Sequence, residues 1–203
     1  MLALIQDYCD TLVDDFNKIP EERIIFLEKI SDYISKKRLE NQPVNLVYIC
    51  THNSRRSHFG QIWAKVASYY YEILGVNTYS GGTEITAFHP NAMNALTRVG
   101  FKIKRINADK NPTYHVFFDE NASPVKCFSK MYDAPENPKK DFVAIMTCSD
   151  AEENCPFIPG VELRVATAYD DPKAYDDTEL QDMKYDERCR QIALETLYVF
   201  SKL

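Results

Sequence analysis

No apolar run in this chain nears the roughly 20 residues needed to cross a bilayer, so a membrane-spanning protein is not expected. A positive balance is missing too. The 24 Lys and Arg against 30 Asp and Glu leave a formal charge of −6, which argues against broad attraction to nucleic acid or an anionic membrane surface. Any basic site must therefore be local. There is no internal repeat, low-complexity tract or long charge run. No basic residue precedes the short apolar start MLALI, so a secretory signal is not expected and the expected location is cytoplasmic. Nor do the six cysteines, Cys9, Cys50, Cys127, Cys148, Cys155 and Cys189, make a compact framework. In a compartment that keeps thiols reduced, such usage favours catalysis or redox chemistry over structural disulfides.

What is present is 203 residues, 45% of them hydrophobic, enough for one ordinary domain with an added piece. Residues 1–43 read as an N-terminal helical extension. ALIQDYCDTLVDDFNKI and EERIIFLEKISDYISKKRLE carry apolar residues at helical spacing, and Pro20 stands where the second helix starts. From Val44 strands and helices alternate. VNLVYI, VNTYSGG, FVAIMT and VELRVAT read as strands, whereas RSHFGQIWAKVASYYYEIL, ending before Gly75, and HPNAMNALTRVG, with Pro90 first and Gly100 after its end, read as helices. YHVFF and VKCFSKMY, flanking DENASP, read as a hairpin inserted at residues 113–132, and a further helix closes the chain. This predicts an α/β fold of three layers over residues 44–203, a small, mainly parallel sheet flanked by helices. Ligands of such sheets bind at the carboxyl ends of strands, and Cys50 lies at one of them.

From Cys50 to Arg56 the spacing is C-x5-R, followed by Ser57 and a helix. The amides of Thr51, His52, Asn53, Ser54, Arg55, Arg56 and Ser57, with the first helical turn, suit a nest for an anion. The same field favours the anionic form of a thiol. Arg56 can hold two oxygens of a tetrahedral oxyanion with its planar fork, and Asn53 tolerates the left-handed conformation that a tight loop needs. The blander alternative is a buried cysteine beside solvent-facing arginines. An oxyanion's leaving oxygen also needs a proton, and YDDP after the last strand offers Asp171, held next to Pro172, as the acid.

TCSDAEENCP follows the strand FVAIM, with Ser149 and Glu152 in capping-box spacing, so a short helix is expected. Seven helical residues rise about 10 Å, beyond the Cα separation of a disulfide, so Cys148 and Cys155 pair only if that helix unwinds. Zinc is disfavoured by the missing histidine, and two unrelated buried thiols remain the alternative. Cys9, Cys127 and Cys189 read as ordinary packing or surface residues.

In this order, CTHNSRRS, YSGG, HPNAMNAL, TCSDAEENCP and YDDP resemble the thioredoxin-coupled arsenate reductases, which share the low-molecular-weight tyrosine phosphatase fold. The resemblance covers roughly residues 44–203, and its second and third cysteines separate the reductase branch from the phosphatases. It implies that Cys50 is the nucleophile, that Arg56 and the loop amides bind arsenate or a phosphate-like oxyanion, and that Asp171 is the general acid. It further implies that Cys148 attacks the Cys50 adduct, that Cys155 then takes over Cys148, and that thioredoxin is the electron donor, with no bound cofactor. His52 stands where relatives usually carry Gly, and Arg55 where many reductases carry a further Cys. Gln61 stands where an acidic residue helps hold potassium in some reductases, so no metal is expected. Two other readings stay open: hydrolysis of phosphotyrosine or a small phosphomonoester through Cys50, and a non-catalytic oxyanion-binding module.

Overall fold

The computed structural model describes residues 1–154 and 157–203. The described elements are, in chain order, α1 (Ala3–Val13), α2 (Glu21–Leu39), β1 (Val44–Cys50), α3 (Arg56–Tyr70), β2 (Val76–Gly82), α4 (Pro90–Val99), β3 (Lys102–Arg105), β4 (Tyr114–Phe117), β5 (Val125–Cys127), β6 (Phe142–Met146), α5 (Ser149–Asn154), β7 (Val161–Ala166) and α6 (Gln181–Phe200). Short 3-10 turns lie at Phe16–Lys18 and Pro172–Tyr175.

The four strands expected from the sequence form one parallel sheet in the order β2-β1-β6-β7. Central β1 pairs Ile49 with Gly81 on one side and with Met146 on the other. Because successive side chains point to opposite faces, the sheet divides its apolar residues between two layers. Leu46, Tyr48, Val143 and Ile145 pack into the larger core with Trp63, Tyr185, Ile192 and Leu197, whereas Val47, Ile49, Ala144 and Met146 face Cys148, Ala151 and Ile158. The second layer is thin, with α5 as its helix. The N-terminal helices join the larger core through Ile5, Cys9, Leu12, Leu27, Ile30 and Ile34. Each such aliphatic side chain, taken fully out of water, contributes about 1.5–3 kcal/mol.

Three boundaries differ from the sequence reading. The first helical pattern breaks at Val13 and continues as the 3-10 turn. α3 stops at Tyr70, short of the expected end, because Glu72 adopts φ 55° and Ile73 N–H donates to Ser68 O at 2.7 Å. That is a Schellman closure made without glycine. The inserted hairpin gains a third strand: β3 pairs antiparallel with β4, and β4 with β5. β5 ends at Cys127, and the following residues instead run to the end of β2, where Gly82 N–H donates to Lys130 O and Tyr132 N–H to Gly82 O, both at 2.9 Å.

Candidate active site

The loop between β1 and α3 turns its carbonyls outward. Cys50 O and Thr51 O accept from Thr83 and Glu84 N–H, His52 O accepts from the Thr86 and Ser129 hydroxyls, and Ser54 O accepts from His89 N–H. The amides of residues 51–55 donate to no acceptor among the described residues. Asn53 takes φ 42°, which its residue type permits, and this turns the chain back toward α3. Gly82 lets the loop lie close: a Cβ there would fall 2.7 Å from Asn53 N and Thr51 O. Engaged carbonyls and unpartnered amides at a helix N-terminus suit an anion.

Cys50 is buried, and its Sγ lies 3.1 Å from Ser57 Oγ. Asn53 Nδ2 donates to that Oγ at 2.8 Å, and Asn53 Oδ1 accepts Lys130 N–H at 2.8 Å. With one lone pair of Ser57 occupied by Asn53, its hydrogen is free to donate to the Cys50 sulfur.

The two adjacent arginines have opposite fates. Arg56 Nη1 donates to Tyr169 O at 2.7 Å and Nη2 to Asp171 Oδ2 at 2.6 Å, while its buried Nε has no partner among the described residues. Arg55 turns away from the nest, donating from Nε to Tyr185 Oη at 2.6 Å and from Nη2 to Asp176 Oδ2 at 2.8 Å. Burial works against the Asp176 carboxylate, but the Tyr185 hydroxyl and the Arg55 charge outweigh it and hold Asp176 below the usual carboxylate range. Asn91 donates to the same carboxylate, and the His89 ring, stacked on Tyr185, caps α4 by accepting Asn91 N–H. Arg55 therefore contributes its backbone to the loop and its side chain to this brace. Sequence reasoning missed Asp176, Tyr185 and Asn91 as partners because they stand 121, 130 and 36 residues from Arg55 and no local pattern marks them.

Asp171 and Asp170 are separated just as sharply. The Asp171 side chain is 28% exposed and meets Arg56, with Oδ1 capping the 3-10 turn through Lys173 N–H. Asp170 is 97% exposed and among the described residues reaches only Arg188, at 3.4 Å.

Cys148 follows β6, the neighbour of β1, and is buried in the same cluster as Cys50. Its Sγ lies 3.5 Å from Thr51 Oγ1, one residue beyond Cys50, and accepts Ala151 N–H at 3.4 Å. The expected short helix is present, but its cap differs. Ser149 is already its first helical residue, and the Cys148 sulfur takes the amide that a serine N-cap would have taken. Cys155 lies outside the described residues. The other thiols, Cys9, Cys127 and Cys189, are packed in the core, and burial pushes each up to about 12, so they stay protonated and inert. Gln61 is held by structural bonds, accepting from Ser80 Oγ and donating to Thr78 O and Lys126 O. The His52 ring lies 3.5 Å from Glu84 at the rim.

A thiol at a strand end, a loop of unpartnered amides, an arginine fork and a carboxylate on the fork lie together, on a fold like that of the low-molecular-weight phosphatases. A YwlE mutant from Bacillus subtilis superposes with a TM-score of 0.53 at 13% identity, covering 78% of this chain and 97% of that one. A low-molecular-weight phosphotyrosine phosphatase from Vibrio cholerae gives 0.50 at 14% identity, covering 78% and 94%. No protein-family model matches. In sequence, the chain is 30% identical over 138 residues to arsenate reductase 2 of Staphylococcus saprophyticus, covering 67% of this chain and 84% of the relative. An arsenate reductase of Staphylococcus aureus is 29% identical over the same shares. The chain belongs to the arsenate reductase family, enzymes built on the low-molecular-weight tyrosine phosphatase fold.

Proposed function

We propose that this enzyme reduces arsenate to arsenite by a relay of three cysteines, with thioredoxin as the dithiol donor. The Cys50 thiolate attacks arsenic, and an arsenate oxygen leaves as water with the proton of Asp171. Arg56 and the loop amides hold the remaining oxygens. The Cys148 thiolate then attacks the Cys50 sulfur, and the electron pair of the S–As bond passes to arsenic, which leaves as arsenite in the trivalent state. Cys155 next attacks the Cys148 sulfur, freeing Cys50 and forming a 148–155 disulfide. Thioredoxin reduces that bond by the same exchange and becomes oxidised. Such a cycle suits a compartment that keeps thiols reduced, the cytoplasm.

The observation that carries this reading is the Cys148 sulfur against Thr51, in one buried cluster with Cys50. Phosphoester hydrolysis itself needs no second thiol, which would there be vestigial or protective. Hydrolysis of phosphomonoesters is the second reading. It is favoured by a groove of about 420 Å3 beside the loop, lined by His52, His89, Lys110 and Lys173, which is larger than arsenate needs.

The test is to substitute the two further cysteines one at a time. Cys155→Ser should reduce one equivalent of arsenate and stop as a Cys50–Cys148 disulfide. Cys148→Ser should stall earlier, on the arsenic adduct. Hydrolysis of para-nitrophenyl phosphate, if present, should survive both changes. Repeated arsenate turnover with thioredoxin by both variants would sink the relay and leave the oxyanion loop as the supported part.

A further inference from the structure

α2 lies outside the stretch that carries the reductase resemblance, yet one of its side chains reaches the segment leading into the acid. Arg23 uses all three guanidinium nitrogens. Nε donates to Glu195 Oε1 at 2.5 Å, Nη2 to Glu195 Oε2 at 2.7 Å and to Thr167 O at 3.1 Å, and Nη1 to Ala168 O at 3.2 Å. The guanidinium carbon also sits 4.8 Å from the centre of the Tyr169 ring. Glu195, buried on α6, accepts the Tyr169 hydroxyl at 2.7 Å. Burial and the Glu195 charge push that hydroxyl well above its ordinary value, so it remains the donor.

These contacts hold three consecutive residues, Thr167, Ala168 and Tyr169. On the other side the same segment is tied to β6, with Thr167 N–H on Met146 O at 2.9 Å and Tyr169 N–H on Thr147 O at 3.1 Å. The Tyr169 carbonyl is the acceptor that aims Arg56, and Asp171 follows two residues later. Beyond β7 those two backbone bonds engage the segment's amides, and the Arg23 guanidinium engages its Thr167 and Ala168 carbonyls.

We propose that Arg23 is a positioning residue for the Arg56–Asp171 pair, so that the N-terminal helical extension is part of the catalytic apparatus. The inference rests on the reading of Asp171 as the acid and Arg56 as the oxyanion clamp. Arg23 touches no reacting atom. Its contribution is to hold the Tyr169 carbonyl and the Asp171 carboxyl where proton transfer and oxyanion contact are both in reach. A misplacement of about 1 Å at a reacting group can cost roughly 100-fold in rate.

The test compares Arg23→Lys and the double variant Arg23→Met with Glu195→Gln, which removes the pair without leaving a buried carboxylate unpaired, against Asp171→Asn. Single-turnover arsenite formation by the reduced full-length enzyme is followed across pH, alongside thermal melting. The double variant should fold, lose about 100-fold in rate, and show a displaced alkaline limb of its pH–rate profile. Arg23→Lys should retain part of the rate, and added guanidinium should restore part of it to the double variant. A wild-type rate and profile in the folded double variant, with Asp171→Asn slow, would overturn the positioning role and leave the acid assignment intact. A loss equal at every pH, with a lowered melting temperature and no guanidinium rescue, would overturn it in favour of plain structural support. A wild-type rate in Asp171→Asn would remove the acid assignment, and the positioning role with it.

Discussion

Asp171→Asn tests the proposed acid by separating proton donation from oxyanion binding. Asp171 Oδ2 accepts from Arg56 Nη2 at 2.6 Å, and Oδ1 accepts from Lys173 N–H at 3.0 Å. Asparagine keeps an acceptor oxygen but not the charge. The hydrogen bond to the guanidinium survives, and what is lost is a partly exposed ion pair, so the hold on Arg56 weakens by at most about 1 kcal/mol. An incoming oxyanion competes for that same nitrogen. Inorganic phosphate should therefore bind the variant no more weakly than wild type, and about five-fold more tightly if the whole difference is returned. On the proposed role of Asp171 as the acid, the chemical step loses its proton donor and should slow by about 100- to 10,000-fold. Titration calorimetry with phosphate measures the first effect, and single-turnover arsenite formation the second. Asp170→Asn is the control: at 97% exposure, its substitution should leave both near wild type. The reasoning fails if Asp171→Asn keeps the wild-type rate while Asp170→Asn is slow, or if phosphate affinity falls in step with the rate.

Other consequences can be checked separately. Arg56→Lys keeps the charge but can satisfy neither the Tyr169 carbonyl and Asp171 together nor two oxygens of an oxyanion, so arsenate kcat/KM should fall by about 10- to 150-fold; near-normal kinetics would take Arg56 out of the site. Gly82→Ala puts a methyl 2.7 Å from loop backbone that has no room to give, and a cost of about 1–3 kcal/mol with a disproportionate loss of phosphate binding is expected; unchanged binding by calorimetry would show that the loop is not held this closely. His58 is fully buried in the first turn of α3, where burial and then the Lys130 charge pull its imidazole down to about 3 from the ordinary 6.5. Between those values the unfolded chain binds a proton that the folded chain does not, so stability is full above 6.5 and falls as pH drops toward 3. The loss is at most about 1.4 kcal/mol per pH unit, and denaturant unfolding of His58→Gln should show a shallower acid slope; identical slopes would exclude His58 as a source.

Much of the sheet and the loop was legible in the linear chain, because both rest on short-range rules. Buried parallel strands read as apolar runs, Pro90 and Gly100 bracket α4, and the α3 loop joins an anion-suited spacing to an Asn that accepts φ 42°. The errors also have local causes. Glu72 ended α3 in a conformation more typical of glycine, and β3, with two Lys and an Arg in four residues, lacked an apolar signal because its pairing with β4 supplies what its composition does not.

The C-x5-R spacing and Pro172 pointed to Arg56 and Asp171, but what their neighbours Arg55 and Asp170 do was not legible. Tertiary contacts decide it: the start of α3 points Arg56 at Tyr169 and Asp171, 113 and 115 residues away, and leaves Arg55 to Asp176 and Tyr185. The reach of Arg23 to Glu195 spans 172 residues. Backbone preference and hydrophobic period are properties of a few consecutive residues, so the sequence alone marks the strands of the parallel sheet and the loop where a nest can form. The partner of a charged side chain is set by which distant segments the closed core brings within about 3 Å, and that only the folded chain decides.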